Sequence, residues 1–378
     1  MNLITTAFLA IFLAAGAPLS AQTHADVAKQ QHPVFQVTPV FETDPVESKG
    51  DAADDPAIWI NRNDASKSLI LGTDKKSGLA VYDLSGKIVQ FLEVGRVNNV
   101  DLRTGLKLSG KDVTLAAATQ RDDRSIVAWL IDEQTGTLTA APGSPFKVGV
   151  KEPYGIALAR AKREGALYVF VCDKESAVEQ WLIEDNGHGT LSASLVRSFR
   201  IATQAEGMVA DEEQGVLFIC EEAKGVWKFP IDPSDTSQGT LIAGIKPDGP
   251  ITPDAEGIAI AKGVTVTDTS ALPATETSHF PGFIVVSSQG SNEYVVIDRT
   301  PPHSVLGTFS IGDSHTATGI TIDGTKETDG LDVCTEPLGT LFPKGILVVQ
   351  DGDNGKQPQN FKAVSLEPVI QKLTKPQR

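Results

Sequence analysis

Cysteine, methionine, positive charge and long apolar helical patterns are all scarce in this chain. Its three cysteines, Cys172, Cys220 and Cys334, stand far apart in 378 residues, so they build no disulfide framework and no C-x-x-C metal knuckle. The six histidines (His24, His32, His188, His279, His303 and His315) form no H-E-x-x-H pair, which removes the usual zinc ligand sets. Acids outnumber bases by 48 to 33, for a formal net charge of −15. That balance disfavours nucleic acid as a partner. A protein this acidic that acts on a polyanion needs bound cations to reverse the local sign.

What the chain has in quantity is turns. Gly (34) and Pro (22) are plentiful, and Val, Ile, Leu and Thr fall in short bursts between Gly, Asp and Asn clusters, an all-β composition. Met1 to Ala21 carries no charged side chain and centres on Phe8-Leu-Ala-Ile-Phe-Leu13. It reads as a signal peptide, although the basic first region is missing and Leu19 is a poor residue for the cleavage motif. A short membrane anchor is the other reading, disfavoured because the run is too short to span comfortably. Export to the periplasm or the medium follows, with no membrane association once the leader is removed. No Cys follows the apolar run, so a lipid anchor is not expected.

A unit of about fifty residues recurs six times, within the range of propeller blades. Its leading strands are Pro56–Ile60, Asn99–Leu102, Tyr154–Ala159, Glu206–Ala210, Glu256–Ala261 and Asp329–Val333. Its second strands are Leu69–Gly72, Thr114–Ala118, Leu167–Cys172, Val216–Cys220, Phe283–Ser287 and Ile346–Gln350. Third and usually fourth strands follow, which predicts a six-bladed β-propeller of four-stranded antiparallel blades over residues 51–378. The sixth unit lacks an outermost strand. Residues 22–50 are read as an N-terminal segment that supplies it, from Val34–Phe41, closing the ring and hiding a raw edge.

Two positions of each unit collect polar residues: the start of the leading strand and the turn after the second strand. Both belong near one face of a propeller. Strand starts give Asp54, Asp55, Asn98, Asn99, Tyr154, Glu206, Asp254, Glu256 and Asp329, with Asp101 and Asp332 further along; the turns give Lys75, Lys76, Arg121, Lys174, Glu175, Glu221, Glu222, Gln289, Asp351 and Asp353. Carboxylates brought this close need counter-ions, and many oxygen ligands with no nitrogen or sulfur suit calcium better than magnesium. Asp54, Asp55, Asp101, Glu206, Glu221, Asp254, Glu256, Gln289, Asp329 and Asp351 are the expected ligands of several such ions. The ordinary alternative is a solvated acidic rim. Lys75, Arg121 and Lys174 weigh against it, because three cations in the same turn of three successive units suit a bound phosphate, with Lys76 beside them.

At these residues the sequence resembles the β-propeller phytases of bacteria. The likeness rests on Asp51-Ala-Ala-Asp-Asp-Pro-Ala-Ile-Trp59 and Asn98-Asn-Val-Asp-Leu-Arg103, with support from Lys75-Lys-Ser-Gly-Leu-Ala-Val-Tyr82, Glu206-Gly-Met, Thr252-Pro-Asp-Ala-Glu-Gly257, Ser287-Ser-Gln-Gly290 and Gln350-Asp-Gly352. It implies a six-bladed wheel with calcium ions and stepwise hydrolysis of phytate, myo-inositol hexakisphosphate, as a small-molecule substrate presented as its calcium salt. Carried over by position, Asp55, Glu206, Glu221, Asp254, Glu256 and Gln289 resemble calcium ligands, and Lys75, Arg121, Tyr154, Lys174 and Glu175 resemble the catalytic phosphate-binding group. Glu327-Thr-Asp-Gly330 departs from the family's Asp-Thr-Asp-Gly, so one structural ion site there is in doubt. The expected mechanism is in-line attack by a water held between calcium ions. It needs no covalent phosphoenzyme, and the chain offers none: Val178, Val226 and Thr340 stand six residues after the cysteines, and no Arg-His-Gly stretch occurs. A calcium-dependent lactonase or esterase and a non-catalytic polyanion-binding propeller are the competing readings, since this fold hosts several chemistries. A closed wheel has no edge that must pair, so a monomer is expected.

Overall fold

The computed structural model describes residues 32–264, 281–315, 319 and 321–373; the leader lies outside them. Six sheets of antiparallel strands form a six-bladed β-propeller. The innermost strands are Ala53–Trp59, Val97–Leu108, Pro153–Arg160, Ala205–Asp211, Ala255–Lys262 and Leu331–Cys334 in blades one to six. Side chains alternate between the two faces of a strand, and in a propeller both faces are covered. In blade one, Ile58, Ile70, Ala80 and Tyr82 pack against Ile346, Val348 and Phe361 of blade six. The other face, with Trp59, Leu71 and Val81, packs against Val100, Ala116 and Trp129 of blade two. The remaining four apolar clusters fill the other blade boundaries in the same way, so the core is a ring of six wedges rather than one centre.

The N-terminal segment divides its work between two blades. Phe41–Glu42 pairs antiparallel with Asn360–Ser365 as the outer strand of blade six. Val34–Val37 instead lies parallel to Val305–Ile311 and adds a fifth strand to blade five. The sequence reading gave the whole of Val34–Phe41 to blade six; the chain bends at Thr38–Val40 and crosses from one blade to the next. Lys362 fixes the blade-six contact. Its ammonium is buried and ion-paired with Glu42, with Asp323 at 2.6 Å and with Asp351 at 3.2 Å.

Neighbouring blades exchange no regular ladder, so the inner strands leave backbone groups that other partners must satisfy. Three aspartates do so as clasps. Asp55 accepts Val100 N–H at 3.0 Å, Asp101 accepts Leu158 N–H at 2.6 Å, and Asp332 accepts Ile58 N–H at 2.8 Å. Elsewhere the backbones touch directly: Gly257 N–H donates to Asp329 O at 3.1 Å and Gly330 N–H to Asp54 O at 3.0 Å. Glycine is required for this approach. A Cβ on Gly155 would lie 1.8 Å from Glu206 O, and one on Gly207 would lie 2.3 Å from Glu256 O.

Candidate metal and phosphate site

The antiparallel register explains why the polar residues converge. Ala53 faces Asp74, Val97 faces Gln120, Pro153 faces Asp173, Ala205 faces Glu221 and Ala255 faces Ser288. After each of these pairs the leading strand carries a bulge, before Pro56, Val100, Ile156, Met208 and Ile258. Bulges re-aim side chains and gather near active sites. Here they turn Asp54, Asn98, Tyr154, Glu206 and Glu256 inward, with Asp329 in the matching place of blade six. The residue after each second strand stands beside them: Lys75, Arg121, Lys174, Glu222 and Gln289. Blades one to three thus present three bases to the channel mouth, with Asp54, Asn98 and Tyr154 among them, and blades four to six present acids and the Gln289 amide.

On the acidic side, oxygen atoms of Glu206, Glu222 and Glu256 lie within 4.8 Å of one another. No Lys or Arg among the described residues forms an ion pair with any of the three, and Glu256 Oε2 is buried without a hydrogen-bond partner. Burial, then the charges of Asp54 and Glu256, pushes Glu206 well above the usual carboxylate range. Burial, then Glu222, does the same to Glu256, and Glu222 is itself raised by burial. A set of hard oxygen donors that repel one another and keep an unused lone pair fits a divalent cation of the calcium class. Half-buried Asp254 adds its charge to Glu222, and Gln289 Nε2 donates to Asp329.

Asp54 links the two halves. It accepts Lys75 Nζ at 2.8 Å and Asn98 Nδ2 at 2.7 Å, and the same Asn98 nitrogen reaches Glu206 Oε1 at 2.8 Å. Lys75 also meets Asp51 at 2.7 Å and Asp329 at 3.5 Å. Burial opposes its charge, but Asp54, Asp329 and Asp51 outweigh burial and hold the ammonium protonated well above its ordinary range. Asp329 is pushed up to about 8 by burial and then by Asp54, against the pull of Lys75. On the basic side, Lys174 Nζ lies 4.3 Å and the Arg121 guanidinium carbon 5.8 Å from the centre of the Tyr154 ring, a cation–π arrangement.

Several residues expected at the mouth are placed elsewhere. Glu221 is buried, with Thr203 N and Oγ1 both 2.6 Å from one oxygen and Trp227 Nε1 2.7 Å from the other. Its neighbour Glu222 occupies the position equivalent to Lys75, Arg121 and Lys174, and that equivalence in the turns was the signal that should have selected it. Asp351 sits where Asp74 and Asp173 sit in their blades, accepts Lys326 N–H at 3.1 Å, and faces Lys362. Asp101 is committed to Leu158 and Arg103. With Asp55 and Asp332 it lines a channel cavity of about 550 Å³ below the mouth. Lys76 is exposed and donates to Lys49 O, and Glu175 is exposed and paired with Lys151 at 2.5 Å.

Comparison with known proteins places the chain in a family. The 3-phytase of Bacillus subtilis is 40% identical over 347 residues, which span 90% of this chain and 86% of the relative. A solved structure, an auxiliary nutrient binding protein from Bacteroides thetaiotaomicron, superposes with a TM-score of 0.51 at 9% identity over 87% of this chain and 76% of that one; it speaks for the fold alone. A model of the family described as Phytase matches residues 1–377. With the whole wheel and its mouth inside that match, the chain belongs to the phytase family.

Proposed function

We propose that the chain is a calcium-dependent 3-phytase that removes phosphate from phytate. The observation that carries this reading is the division of the mouth: bases at Lys75, Arg121 and Lys174 stand beside the carboxylates of buried Glu206 and Glu256 and half-buried Glu222, with which no Lys or Arg among the described residues forms an ion pair. Glu206, Glu222 and Glu256, with Asp54, Asp254, Gln289 and Asp329 around them, are the residues that would hold calcium. Bound there, calcium supplies charge neutralisation for the phosphoryl oxygens and activation of the attacking water. Arg121 offers a planar fork and Lys174 a point charge to the phosphate, and the Tyr154 ring holds both at the lip. Asn98 ties Asp54 to Glu206 and so fixes the spacing of the two halves. Glu175, exposed and paired with Lys151, is left outside the reacting group.

An exported monomer that meets phytate as its calcium salt fits an acidic wheel with a leader-like first segment. No helix of the described residues is long and apolar enough to cross a membrane. Arg121→Ala tests the phosphate half of the proposal. It should lower kcat/KM for phytate by about a hundredfold, the scale of losing one preorganised donor to a developing oxyanion, at an unchanged melting temperature. An unchanged rate would take Arg121 out of the site.

A further inference from the structure

The Arg121 guanidinium already holds an anion. Its NH2 is ion-paired with Glu152, its NH1 reaches Asn98 Oδ1 at 3.3 Å, and its Nε is buried and makes no hydrogen bond. Glu152 belongs to neither polar position of the repeat: it precedes the innermost strand of blade three, which starts at Pro153. The Glu152 side chain is 43% exposed while the Arg121 side chain is 14% exposed, so the acid has room to swing into solvent and the guanidinium does not. Lys174 and Arg96 lie close enough to add their charge to the hydrogen bond from Arg121, and together they hold Glu152 below the usual carboxylate range.

We infer that Glu152 is a built-in competing anion, which occupies the phosphate position on Arg121 and must be displaced before a phosphate group can bind. This rests on the reading of Arg121 as a phosphate ligand. Displacement lowers the affinity of every ligand that uses Arg121 by the same factor. A polyphosphorylated substrate with further contacts to Lys174 and Lys75 retains useful affinity after that loss. Free phosphate, the product, has few other contacts and is left weakly bound. Glu152 therefore weakens phosphate binding at this position for substrate and product alike, and its effect is transmitted chiefly through Arg121.

Glu152→Gln keeps the shape and removes the charge. Partly exposed ion pairs are worth up to about 1 kcal/mol, so the inhibition constant of inorganic phosphate and the KM for phytate should both fall, by about three- to fivefold. In the Arg121→Ala background the same substitution should change both by much less, since only the weaker influence of Lys174 and Arg96 remains. If Glu152 only orients Arg121, both constants rise instead, which overturns the proposal, as does an effect of undiminished size without Arg121. Calorimetric titration with inorganic phosphate at submillimolar calcium reads the same affinity change without turnover. A wild-type protein that binds phosphate but releases none from phytate would sink the phytase reading and leave the competition by Glu152 to be judged on binding alone.

Discussion

Asn98 Nδ2 stands 2.8 Å from Glu206 Oε1, a hydrogen bond from blade two to blade four across the channel mouth. Because the same amide also serves Asp54, it is a neutral group inserted between two acids of the site. Asn98→Asp would replace that donor with a further carboxylate of the same shape. The melting temperature in chelator should fall well below that of the wild type, and added calcium should restore most of the difference, by linkage of ion binding to folding. Equal melting temperatures for the two proteins in chelator would contradict the account.

Adjacent Glu221 and Glu222 should respond oppositely to the same change. Glu222→Gln removes one charge from the cation cluster, so the calcium concentration for half-maximal activity should rise about tenfold, since ligand charge count tunes calcium affinity. Glu221→Gln would set an amide donor against either Trp227 N–H or Thr203 N–H. It should destabilise the fold by about 1–3 kcal/mol in a denaturant titration and leave the calcium requirement unchanged.

Lys362 carries the ring closure. Lys362→Met leaves Glu42, Asp323 and Asp351 facing one another without their cation, and breaking a buried ion pair from one side costs about 3–5 kcal/mol. Urea unfolding should show a loss of that size, partly recovered by adding Asp351→Asn. A loss below 1 kcal/mol, on the scale of an exposed pair, would mean that the closing strand is held by backbone pairing alone.

His303 gives the stability profile a pH-dependent component away from the mouth. Burial pushes its imidazole below the usual range, and neighbouring Lys228, 3.1 Å from Nε2, adds to the effect. The unfolded chain takes up this proton near pH 6.5 and the folded chain resists it, so this contribution is present above about pH 6.5 and is lost on acidification below it. His303 has φ of 62°, a conformation that Asn tolerates. His303→Asn should therefore flatten the fall in melting temperature between neutral and mildly acid pH; an unchanged profile would exclude His303 as its source.

The wheel itself was legible in the sequence, because six leading strands share an inward polar residue before an aliphatic run, and their second strands end in polar turns. The structure adds that Gly207, Gly257 and Gly330, each following an inward acid, stand where neighbouring backbones approach closely. Less legible was which of two adjacent residues faces the channel. Side-chain direction reverses at every step along a strand, so Glu221 and Glu222 exchange roles on a shift of one position. Nor does the sequence say that Asp101 clasps the neighbouring blade through Leu158 N–H or that Asp351 faces buried Lys362: an aspartate in either place has the same letter as one that binds an ion. Val34–Val37 reads as a plain strand, and nothing local says that it joins blade five.

The most direct measurement is inorganic phosphate release from calcium phytate by the purified mature protein, in parallel samples with added calcium and with excess chelator. The account predicts release with calcium and none with chelator, together with a lower melting temperature in the chelated sample. No release in either condition from a folded protein would contradict it and favour a lactonase or a binding propeller; undiminished release in chelator would remove calcium from the mechanism.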